Sequence, residues 1–560
     1  MMSSLPGSVP ALRDPAGRRN ALLLITVYLL LYVLPLPIRP LASPDEVRYG
    51  EIAREMLASG DWVSPHLNGV RYFEKPALGH WLNAISLAAF GKNAFALRLP
   101  AALATGLTAW IVFVLARRFT SASTAVFATT IFLTTFLVAG VGTFALLDAF
   151  LGLFLTAALA AYYVALGAAG RDRRTWLVAC GVACGAAFLV KGFLALAIPV
   201  LVAAPYLAAN RRWHELLTTP WLPIAVAALV ALPWSVLVHL REPDFWQYFF
   251  WVEHVQRFTG DDAQHAEPFW YYVAYLPLIG WPWILLLPAA AIGLRRGGGD
   301  RDFVRYLIAW AVLPFLFFST SQGKLATYVL PCFAPLSILL AAGLERYLTQ
   351  GRLRSWRFAS GIVALAFLAV FAMLLVAQNG AFGVPPFGAS EGDRLAVVAA
   401  SLVVGAAGGV VALASRESRM QLGGVAVAGA ALLIPLHFAL PQQALDNFAP
   451  SATVARYAAG TDTVVVSDAP LFGTAAWALK RADVYVVSPG EIEYGLSYPE
   501  AKQRLLDGPA FAALLAENRG RRDVVLVCVP STEQHLKEWL PNGVRREQRG
   551  NTIVVRVPAG

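Results

Sequence analysis

Residues 21–36 read ALLLITVYLLLYVLPL, an apolar run that follows Arg13, Arg18 and Arg19. Comparable runs recur along the chain, and runs near or above about 18 residues are typical of transmembrane helices. The 560 residues are 58% hydrophobic and only 14% charged, whereas soluble domains carry roughly 25% charged residues. The sequence therefore predicts a polytopic α-helical membrane protein and excludes a soluble globular one.

The N-terminal run could also be a secretory signal peptide, with Leu41-Ala42-Ser43 as its cleavage region. We favour an uncleaved first span, because cleavage would remove the segment that holds the next acidic residues beside the bilayer. The net charge of +10 comes mostly from arginines in short loops, which indicates membrane orientation rather than nucleic-acid binding. The four cysteines include no Cys-x-x-Cys spacing, so neither a disulfide nor a zinc–thiolate site is predicted.

Arginine-rich loops set the predicted topology, because such loops stay on the cytoplasmic side. They lie at 13–19, 117–118, 171–174, 211–212, 295–305, 346–357 and 416–419. Placing all of them inside predicts about thirteen spans and a cytoplasmic N-terminus. The spans fall near 20–38, 97–116, 121–141, 146–168, 175–189, 192–208, 220–239, 270–293, 302–319, 325–345, 356–378, 394–415 and 421–440. The short run 77–90 is predicted to be an interfacial helix, because it contains His80, Trp81 and Asn83.

Two domains follow from this topology. Residues 1–440 form a transmembrane domain with external interfacial helices at about 46–90 and an external loop at 240–269. Residues 441–560 form an external α/β domain, because short β-branched runs at 463–466, 484–487 and 524–527 alternate with helical patterns near 472–481, 499–517 and 531–540. A last strand pair is predicted at about 543–557. This domain has no glycine-rich nucleotide motif, so we expect a lid or scaffold.

The first external loop holds the strongest functional signal. Ser43-Pro44-Asp45-Glu46-Val47-Arg48-Tyr49-Gly50-Glu51 is followed by Tyr72-Phe73-Glu74-Lys75-Pro76. Residues 46–58 read as an amphipathic helix whose Val47, Ile52 and Met56-Leu57 stripe could face the bilayer. Asp45 could simply cap this helix, since acidic groups in a first turn are stabilised by the helix dipole. The alternative is chemistry on a charged, lipid-borne substrate.

Asp148 and Lys75 support the chemical alternative. Asp148 lies in the apolar stretch 144–150, where a lone carboxylate is costly unless it is paired or solvated. In the predicted topology Asp45, Lys75 and Asp148 share the external face. The Lys75 ammonium could neutralise a phosphate, or it could sit at the headgroup level paired with Glu74. Lys191, alone between two apolar runs, could equally snorkel to the interface.

Two further external clusters complete the candidate site. Glu253, His254 and Arg257 follow the seventh predicted span, and they could bind a phosphate or a sugar. Glu74, His254 and His265 could also hold a divalent metal, although no ligand spacing specifies one. Lys324 and Tyr328 have an i,i+4 spacing, so on a helix they would share one face and could grip an anionic head group.

These motifs resemble the GT-C superfamily of polytopic, lipid-dependent glycosyltransferases. Residues 44–52, 72–76, 96–100, 253–258 and 324–331 are similar to motifs of the bacterial aminoarabinose–lipid A transferases, which are related to protein O-mannosyltransferases. The resemblance covers residues ~20–345 well and the C-terminal third weakly. It implies a GT-C fold and transfer of 4-amino-4-deoxy-L-arabinose from undecaprenyl phosphate to a lipid A phosphate. It also implies a periplasmic active site and C-terminal domain at the bacterial inner membrane, and resistance to cationic peptides such as polymyxin.

Roles for the candidate residues follow from that reaction. Asp45, Asp148 and Lys75 are the predicted catalytic residues, with Asp45 on the acceptor side and Asp148 holding a basic residue or the sugar amine. Predicted substrate-binding residues are Glu46, Arg48, Tyr49, Tyr72, Glu253, Arg257, Lys324 and Tyr328. The expected partners are the undecaprenyl phosphate-linked donor, lipid A and membrane lipids. No cofactor is required, and a divalent metal is the one alternative that the sequence leaves open.

Two other functions remain open at this point. A protein O-mannosyltransferase or another polyprenyl-phosphate-sugar-dependent transferase would share the same loop motifs. A lipid-linked-sugar flippase or transporter would instead place polar residues near mid-span and break helices in both halves. Because the informative charges cluster at one face, the sequence favours an enzyme.

Overall fold

The computed structural model describes residues 15–256, 266–296, 300–351, 353–458, 460 and 462–560. Its N-terminal part is helical. The helices are α1 (Pro15–Tyr28), α2 (Asp45–Ser59), α3 (Leu78–Phe90), α4 (Ala94–Phe119), α5 (Ala122–Leu133), α6 (Phe136–Thr143), α7 (Asp148–Leu166), α8 (Gly170–Lys191), α9 (Leu194–Ala209), α10 (Trp213–Thr218), α11 (Trp221–Arg241), α12 (Tyr271–Ile279), α13 (Leu287–Arg296), α14 (Arg301–Thr320), α15 (Phe333–Thr349), α16 (Arg354–Gln378), α17 (Gly392–Ala414) and α18 (Ser418–Phe438).

The polytopic helical architecture is confirmed. By length and apolarity, nine helical segments in the described ranges can cross a membrane, or up to eleven if each of two bent pairs counts as one span. The pairs are α5 with α6, bent by 62°, and α12 with the segment Trp283–Arg296, bent by 101°. The two other predicted ranges, 20–38 and 192–208, fall on shorter helices: α1 with the π-helical turn Leu29–Val33, and α9.

Small residues allow the bundle helices to approach closely. A Cβ placed on Gly293 of α13 would lie 2.0 Å from the carbonyl oxygen of Gly343 in α15. A side chain at this crossing would collide with backbone, so glycine is required for the two helices to pack at this distance.

The external segment between α1 and α4 consists of α2, a two-residue hairpin of β1 (His66–Leu67) and β2 (Val70–Arg71), and α3. The predicted bilayer-facing stripe on α2 is wrong. Val47, Ile52 and Met56 are 1%, 0% and 3% exposed, because α2 is enclosed by α3, α4 and the C-terminal domain. Their apolar surface is therefore buried within the protein.

The C-terminal domain contains a five-stranded sheet in the order β4-β3-β5-β7-β6. Strands β3 (Thr463–Ser467), β4 (Tyr485–Val486) and β5 (Asp523–Cys528) are parallel to one another. Strand β7 (Thr552–Val557) runs antiparallel to both of its neighbours, β5 and β6 (Arg545–Arg549). The helices are α19 (Gln442–Phe448), α20 (Ser451–Ala458), α21 (Phe472–Leu479), α22 (Glu493–Leu496), α23 (Gly508–Asn518) and α24 (Pro530–Leu536). The predicted external domain is thus a mixed α/β fold.

One predicted helix in this domain is too long. Up to Leu506 the range 499–517 contains turns and a short 3₁₀ helix, Lys502–Arg504, and α23 begins at Gly508. The Asp507 carboxylate accepts the Ala510 N–H at 2.8 Å, and Pro509 follows in the first turn. Asp507 is thus the N-cap, and a proline at this position favours starting a helix rather than continuing one.

The C-terminal domain is joined to the external segment by specific contacts. Asn68 donates to the Val484 carbonyl at 2.9 Å and accepts the Val484 N–H at 3.0 Å. Trp477 of α21 lies against Gly50 of α2, where a Cβ would come within 3.2 Å of the indole. These contacts hold α2 between the helix bundle and the sheet.

Candidate active site

A cavity of about 310 Å³ lies where α7 begins, α8 ends and the loop before α3 meets the π-helical segment Gln247–Gln256. We call it the mouth cavity. Its charged and hydroxyl-bearing lining includes Glu74, Lys75, Asp148, Lys191, Glu253 and Tyr328, and phenylalanine and leucine side chains form its apolar wall. The cavity therefore brings together five of the residues singled out in the sequence, from four separate segments, and adds Lys191.

Lys75 lies between two carboxylates. Its ammonium is 3.2 Å from a Glu253 oxygen and 3.9 Å from a Glu74 oxygen, and it donates to the Glu74 carbonyl at 2.9 Å. The side chain is 19% exposed, so it can be reached from the cavity. A partly buried ammonium of this kind is suited to exchange a carboxylate partner for a phosphate.

Asp148 pairs with Lys191 at 2.8 Å. The carboxylate stands at the first residue of α7 and the ammonium at the last residue of α8, so the antiparallel packing of these helices brings them together. Lys191 also lies over the Tyr328 ring, 5.4 Å from its centroid. From the sequence, Lys191 could equally have snorkelled to the interface, and it was not among the predicted site residues. The signal that could have identified it is that Asp148 needs a partner on the same face.

Glu74 is the buried acid of the mouth cavity. Burial raises the pKa of Glu74 to about 7; Lys75 opposes this shift and Glu253 adds to it. The Tyr72 hydroxyl donates to Glu74 at 3.1 Å, and the Tyr72 residue is 1% exposed. Near neutral pH the Glu74 carboxyl therefore stands close to the midpoint between its neutral and charged forms.

Asp45, Arg48 and Glu491 form a charged group beside this cavity. Arg48 pairs with Asp45 one turn earlier in α2 and with Glu491 of the C-terminal domain. The Asp45 side chain is 52% exposed, whereas that of Arg48 is 11% exposed. The Arg48 charge also acts to lower the pKa of Glu74. Glu491 had no signal in the sequence, because its role depends on how the two domains meet.

Tyr49 and Tyr72, both predicted to bind substrate, are buried. Their rings lie against the His80 imidazole, with centroids 5.9 Å and 6.4 Å away. Neither tyrosine lines the mouth cavity. Instead the Arg48 guanidinium stands over the Tyr49 ring at 4.8 Å, and the Tyr72 hydroxyl bonds to Glu74, so both support charged residues of the site from behind.

Glu46 does not face the site. It is 0% exposed and pairs with Arg39 at 2.7 Å and Arg98 at 2.6 Å. Its oxygens also accept the N–H groups of Ala42 and Ala145 at 2.8 Å and 3.0 Å. The predicted substrate-binding role is therefore corrected to a structural one, because no oxygen of Glu46 is left for a ligand.

Lys324 is also placed differently from the prediction. It is 3% exposed and donates to backbone carbonyls of Glu267, at 2.6 Å, and Ser321. The residues 324–325 precede a 3₁₀ helix that begins at Ala326, so the expected helical i,i+4 face with Tyr328 does not form. Tyr328 lines the mouth cavity, but the Lys324 charge is directed toward the 266–267 backbone.

Arg257 and His265 lie outside the described residues, as does the side chain of His254. Within the described ranges no group of three or more His, Cys, Asp or Glu side chains is arranged to hold a metal ion. Of the side chains of the three predicted metal ligands, only that of Glu74 is described, and its Oε2 faces both Tyr72 and Lys75.

Comparison with known families gives two matches. Residues 19–249 match the model of the dolichyl-phosphate-mannose-protein mannosyltransferases, and residues 445–556 match the C-terminal domain of the arabinosyl transferase ArnT. The first match covers α1 to α11 and the second covers the sheet domain.

Full-length relatives are similar along nearly the whole chain. The undecaprenyl phosphate-alpha-4-amino-4-deoxy-L-arabinose arabinosyl transferase of Edwardsiella ictaluri is 41% identical over 548 residues, which are 95% of this chain and 98% of the relative. The Aeromonas salmonicida enzyme of that name is 43% identical over 516 residues, covering 89% and 92%.

Comparison with solved structures gives the same family as comparison with sequences. ArnT from Cupriavidus metallidurans bound to undecaprenyl phosphate superimposes with a TM-score of 0.79 at 26% identity, covering 97% of this chain and 98% of that one. The Archaeoglobus fulgidus oligosaccharyltransferase, at 13% identity and a TM-score of 0.54 over 98% of this chain and 74% of its own, shares the fold.

Proposed function

Because this chain belongs to the family of undecaprenyl phosphate-alpha-4-amino-4-deoxy-L-arabinose arabinosyl transferases, we propose that it moves the aminosugar to a phosphate of lipid A. It is a multi-pass membrane glycosyltransferase that uses an undecaprenyl phosphate-linked donor. The acceptor, the periplasmic face of the inner membrane and the resulting polymyxin resistance are the proposed part.

The observation that carries the proposal is the mouth cavity with its two lysine–carboxylate pairs. Lys75 with Glu253 and Lys191 with Asp148 line one cavity of about 310 Å³. A site for transfer between phosphates needs cations that are held in place but can be shared with a phosphate. Largely buried lysines that are paired to carboxylates meet that need, since electrostatic stabilisation is stronger where water is excluded.

The charge balance of the reaction decides what the residues must do. An acceptor phosphate oxygen forms a bond to the anomeric carbon while the bond from that carbon to the undecaprenyl phosphate oxygen breaks. The donor is a phosphodiester with one negative charge, and the acceptor monoester is mostly a dianion, because its second pKa is about 6. The products are a diester and an undecaprenyl phosphate dianion. No proton is released, so the reaction requires charge stabilisation on the leaving phosphate and no obligatory base.

The roles follow from this balance. Lys75 and Lys191 stabilise the charge that develops on the leaving phosphate. Asp148 holds Lys191 in position. Its carboxylate can share the Lys191 ammonium with the donor phosphate, or it can accept a hydrogen bond from the amine of the sugar. Asp45, half exposed beside Arg48, orients the acceptor or takes the residual proton of its monoanionic fraction.

The orientation is proposed from the arginine-rich loops. With these loops in the cytoplasm, the mouth cavity and the C-terminal domain lie in the periplasm. The acceptor is then a lipid of the outer leaflet of the inner membrane.

A protein O-mannosyltransferase is the second candidate, because residues 19–249 match that family's model. A hydroxyl acceptor would need a true general base, and Asp45 would have to act as that base. The two candidates therefore differ in the acceptor and in what is asked of Asp45.

One experiment tests both. Lipid A and glycoproteins from cells without the gene, with the wild-type gene and with Asp45→Asn or Lys75→Met are compared by mass spectrometry. We expect lipid A with added aminopentose only in wild-type cells, together with survival on polymyxin. Unchanged lipid A in all strains, with a loss of protein glycosylation in the variants, would refute the proposed acceptor.

A further inference from the structure

A second cavity lies between the outer end of the helix bundle and the C-terminal domain. It has a volume of about 580 Å³ and shares no lining residue with the mouth cavity. We call it the arginine cleft. Its charged and titratable lining consists of Arg39, Arg394, His437, Asp446, Arg456 and Arg549.

Two of the four arginines are already paired. Arg39 is held by Glu46 at 2.7 Å, and Arg394 by Glu391 at 2.9 Å. The lining carboxylate, Asp446, accepts the side-chain amide of Gln442 at 2.9 Å.

The other two arginines carry uncompensated charge. Arg456 and Arg549 are exposed, and no carboxylate of the described residues lies within ion-pair distance of either. Arg456 stands over the Tyr457 ring at 5.6 Å. Together they give the cleft a net positive charge that its own acid does not balance.

Further arginines lie past the cleft. Arg456 and Tyr457 also line a smaller cavity of about 230 Å³ together with Arg545, Arg556 and Glu547. Arg545 is 4.0 Å from Glu547, and Arg556 pairs with Asp523 at 3.2 Å. Arg545 and Arg549 belong to β6, the edge strand of the sheet. Beyond the cleft the arginines have carboxylate partners, so the unpaired positive charge is concentrated at Arg456 and Arg549 in the cleft itself.

The rest of the lining combines polar side chains (Gln442, Thr453 and Tyr457) with an apolar wall. Ile38 follows the first helix, and Phe438 and Leu440 stand at and beyond the end of α18. These residues mark the level where the bundle leaves the membrane. An apolar wall at this level, next to unpaired guanidinium groups, matches a molecule with an acyl chain and a phosphate.

We infer that the arginine cleft binds the phosphorylated headgroup of a membrane lipid, with Arg456 and Arg549 on the phosphate and the chain along Ile38 and Phe438. Guanidinium groups bind phosphate through two parallel N–H donors, which suits a monoester. The inference rests on the proposed function in one respect, since a phosphorylated lipid acceptor must be brought beside the donor.

The position of the cleft supports this use. Arg39 lines the cleft and binds Glu46, which directly follows Asp45 in the chain. A lipid held there lies next to the segment that carries the proposed acceptor-side residue, while leaving the mouth cavity open for the donor.

The test measures binding rather than transfer. Full-length protein in detergent micelles is saturated with undecaprenyl phosphate, and native mass spectrometry then follows binding of lipid A, phosphatidic acid or inorganic phosphate. The variant is Arg456→Ala/Arg549→Ala. The matched control is Arg521→Ala/Arg522→Ala, which removes two exposed arginines from the loop before β5. Arg456→Lys/Arg549→Lys retains the charge without the planar fork.

In the alanine variant we expect the Kd for lipid A and phosphatidic acid to rise about 30-fold or more. In the control variant the same Kd values should stay within about twofold of wild type. The lysine variant should be intermediate. Retained undecaprenyl phosphate binding shows that each variant is folded.

Three results would overturn the inference. They are an unchanged Kd in the alanine variant, an equal loss in the control, and inorganic phosphate binding as tightly as phosphatidic acid, which would mean a site for free anions. Failure of lipid A modification in cells, with phosphatidic acid binding intact, would instead refute the proposed acceptor and leave the cleft as a lipid site.

Discussion

At the scale of single residues, Asp148 was the most informative position in the sequence. A carboxylate in an apolar stretch has to be paired, and the structure supplies Lys191 at 2.8 Å. The sequence shows that Asp148 needs a cation on the same face, but it does not single out Lys191 among the candidates, because 43 residues and a helix reversal separate the two.

Lys191→Met should abolish most of the activity. The substitution keeps most of the unbranched side chain but removes the ammonium that balances Asp148 and that, in the proposed reaction, stabilises the leaving phosphate. We expect kcat to fall about 100-fold or more, as when one preorganised charge is removed from an active site. Radiolabelled sugar transfer to lipid A in micelles measures this. Lys92→Met, at an exposed lysine outside the cavity, should retain wild-type activity, and equal losses in both variants would contradict the assignment.

Glu74 should give donor binding a pH dependence. Burial raises the pKa of Glu74 to about 7, so the carboxyl is neutral at lower pH and becomes charged as the pH rises through 7. The new negative charge competes with the donor phosphate for Lys75. Because the phosphodiester group of the donor does not titrate in this range, the donor KM should rise about fivefold from pH 6 to pH 8. Glu74→Gln should flatten that profile, and an unchanged slope would show that another group titrates.

At the scale of elements, the helices and strands were largely predictable and their surroundings were not. Long apolar runs and arginine loops placed the bundle helices, because the period and length of a span are local properties. The surroundings of α2 are not determined by its own sequence. An apolar stripe such as Val47, Ile52 and Met56 has the same pattern whether it packs against lipid or against protein. Likewise, Glu46 and Asp45 are neighbours with the same charge, but the helix turns one toward Arg39 and Arg98 and the other toward solvent.

Glu46 should therefore be required for stability and not for substrate affinity. Burial would raise the pKa of Glu46, but Arg98 and Arg39 lower it to about 2. Glu46→Gln leaves two buried guanidinium groups without a counter-charge and should cost about 3–5 kcal/mol. The unfolding midpoint in detergent measures this loss, with Glu417→Gln on the exposed side of a loop as control.

The same network should respond to acid. Since the folded-state pKa of Glu46 is lowered, its contribution is complete above about pH 4.5 and is lost as the pH falls toward 2. The difference in midpoint between wild type and Glu46→Gln should therefore shrink in acid. If Glu46→Gln keeps the wild-type unfolding midpoint but raises KM, the substrate-binding role first predicted for Glu46 would be correct.

At the scale of the whole molecule, the C-terminal domain contacts the segment that carries Asp45 and Arg48. The sequence predicted a lid or a scaffold, and the structure shows Glu491 paired with Arg48, Asn68 bonded to Val484, and α2 held against Trp477. Contacts between segments more than 400 residues apart leave no pattern in a single sequence. This is why the sequence predicted the C-terminal domain but not its contacts with α2 and Arg48.

Glu491→Gln tests whether this domain positions the site. The change removes the charge that holds Arg48 from the C-terminal side and leaves Asp45 as the remaining carboxylate partner. We expect kcat/KM for the acceptor to fall about tenfold, with KM for the donor unchanged, because Arg48 would then draw Asp45 away from the acceptor. The unfolding midpoint should hardly move, since Glu491 is 31% exposed and partly solvated pairs contribute little. Glu538→Gln, an exposed acid elsewhere in the domain, serves as the control. An unchanged acceptor kcat/KM would mean that the domain supports α2 through its apolar contacts alone.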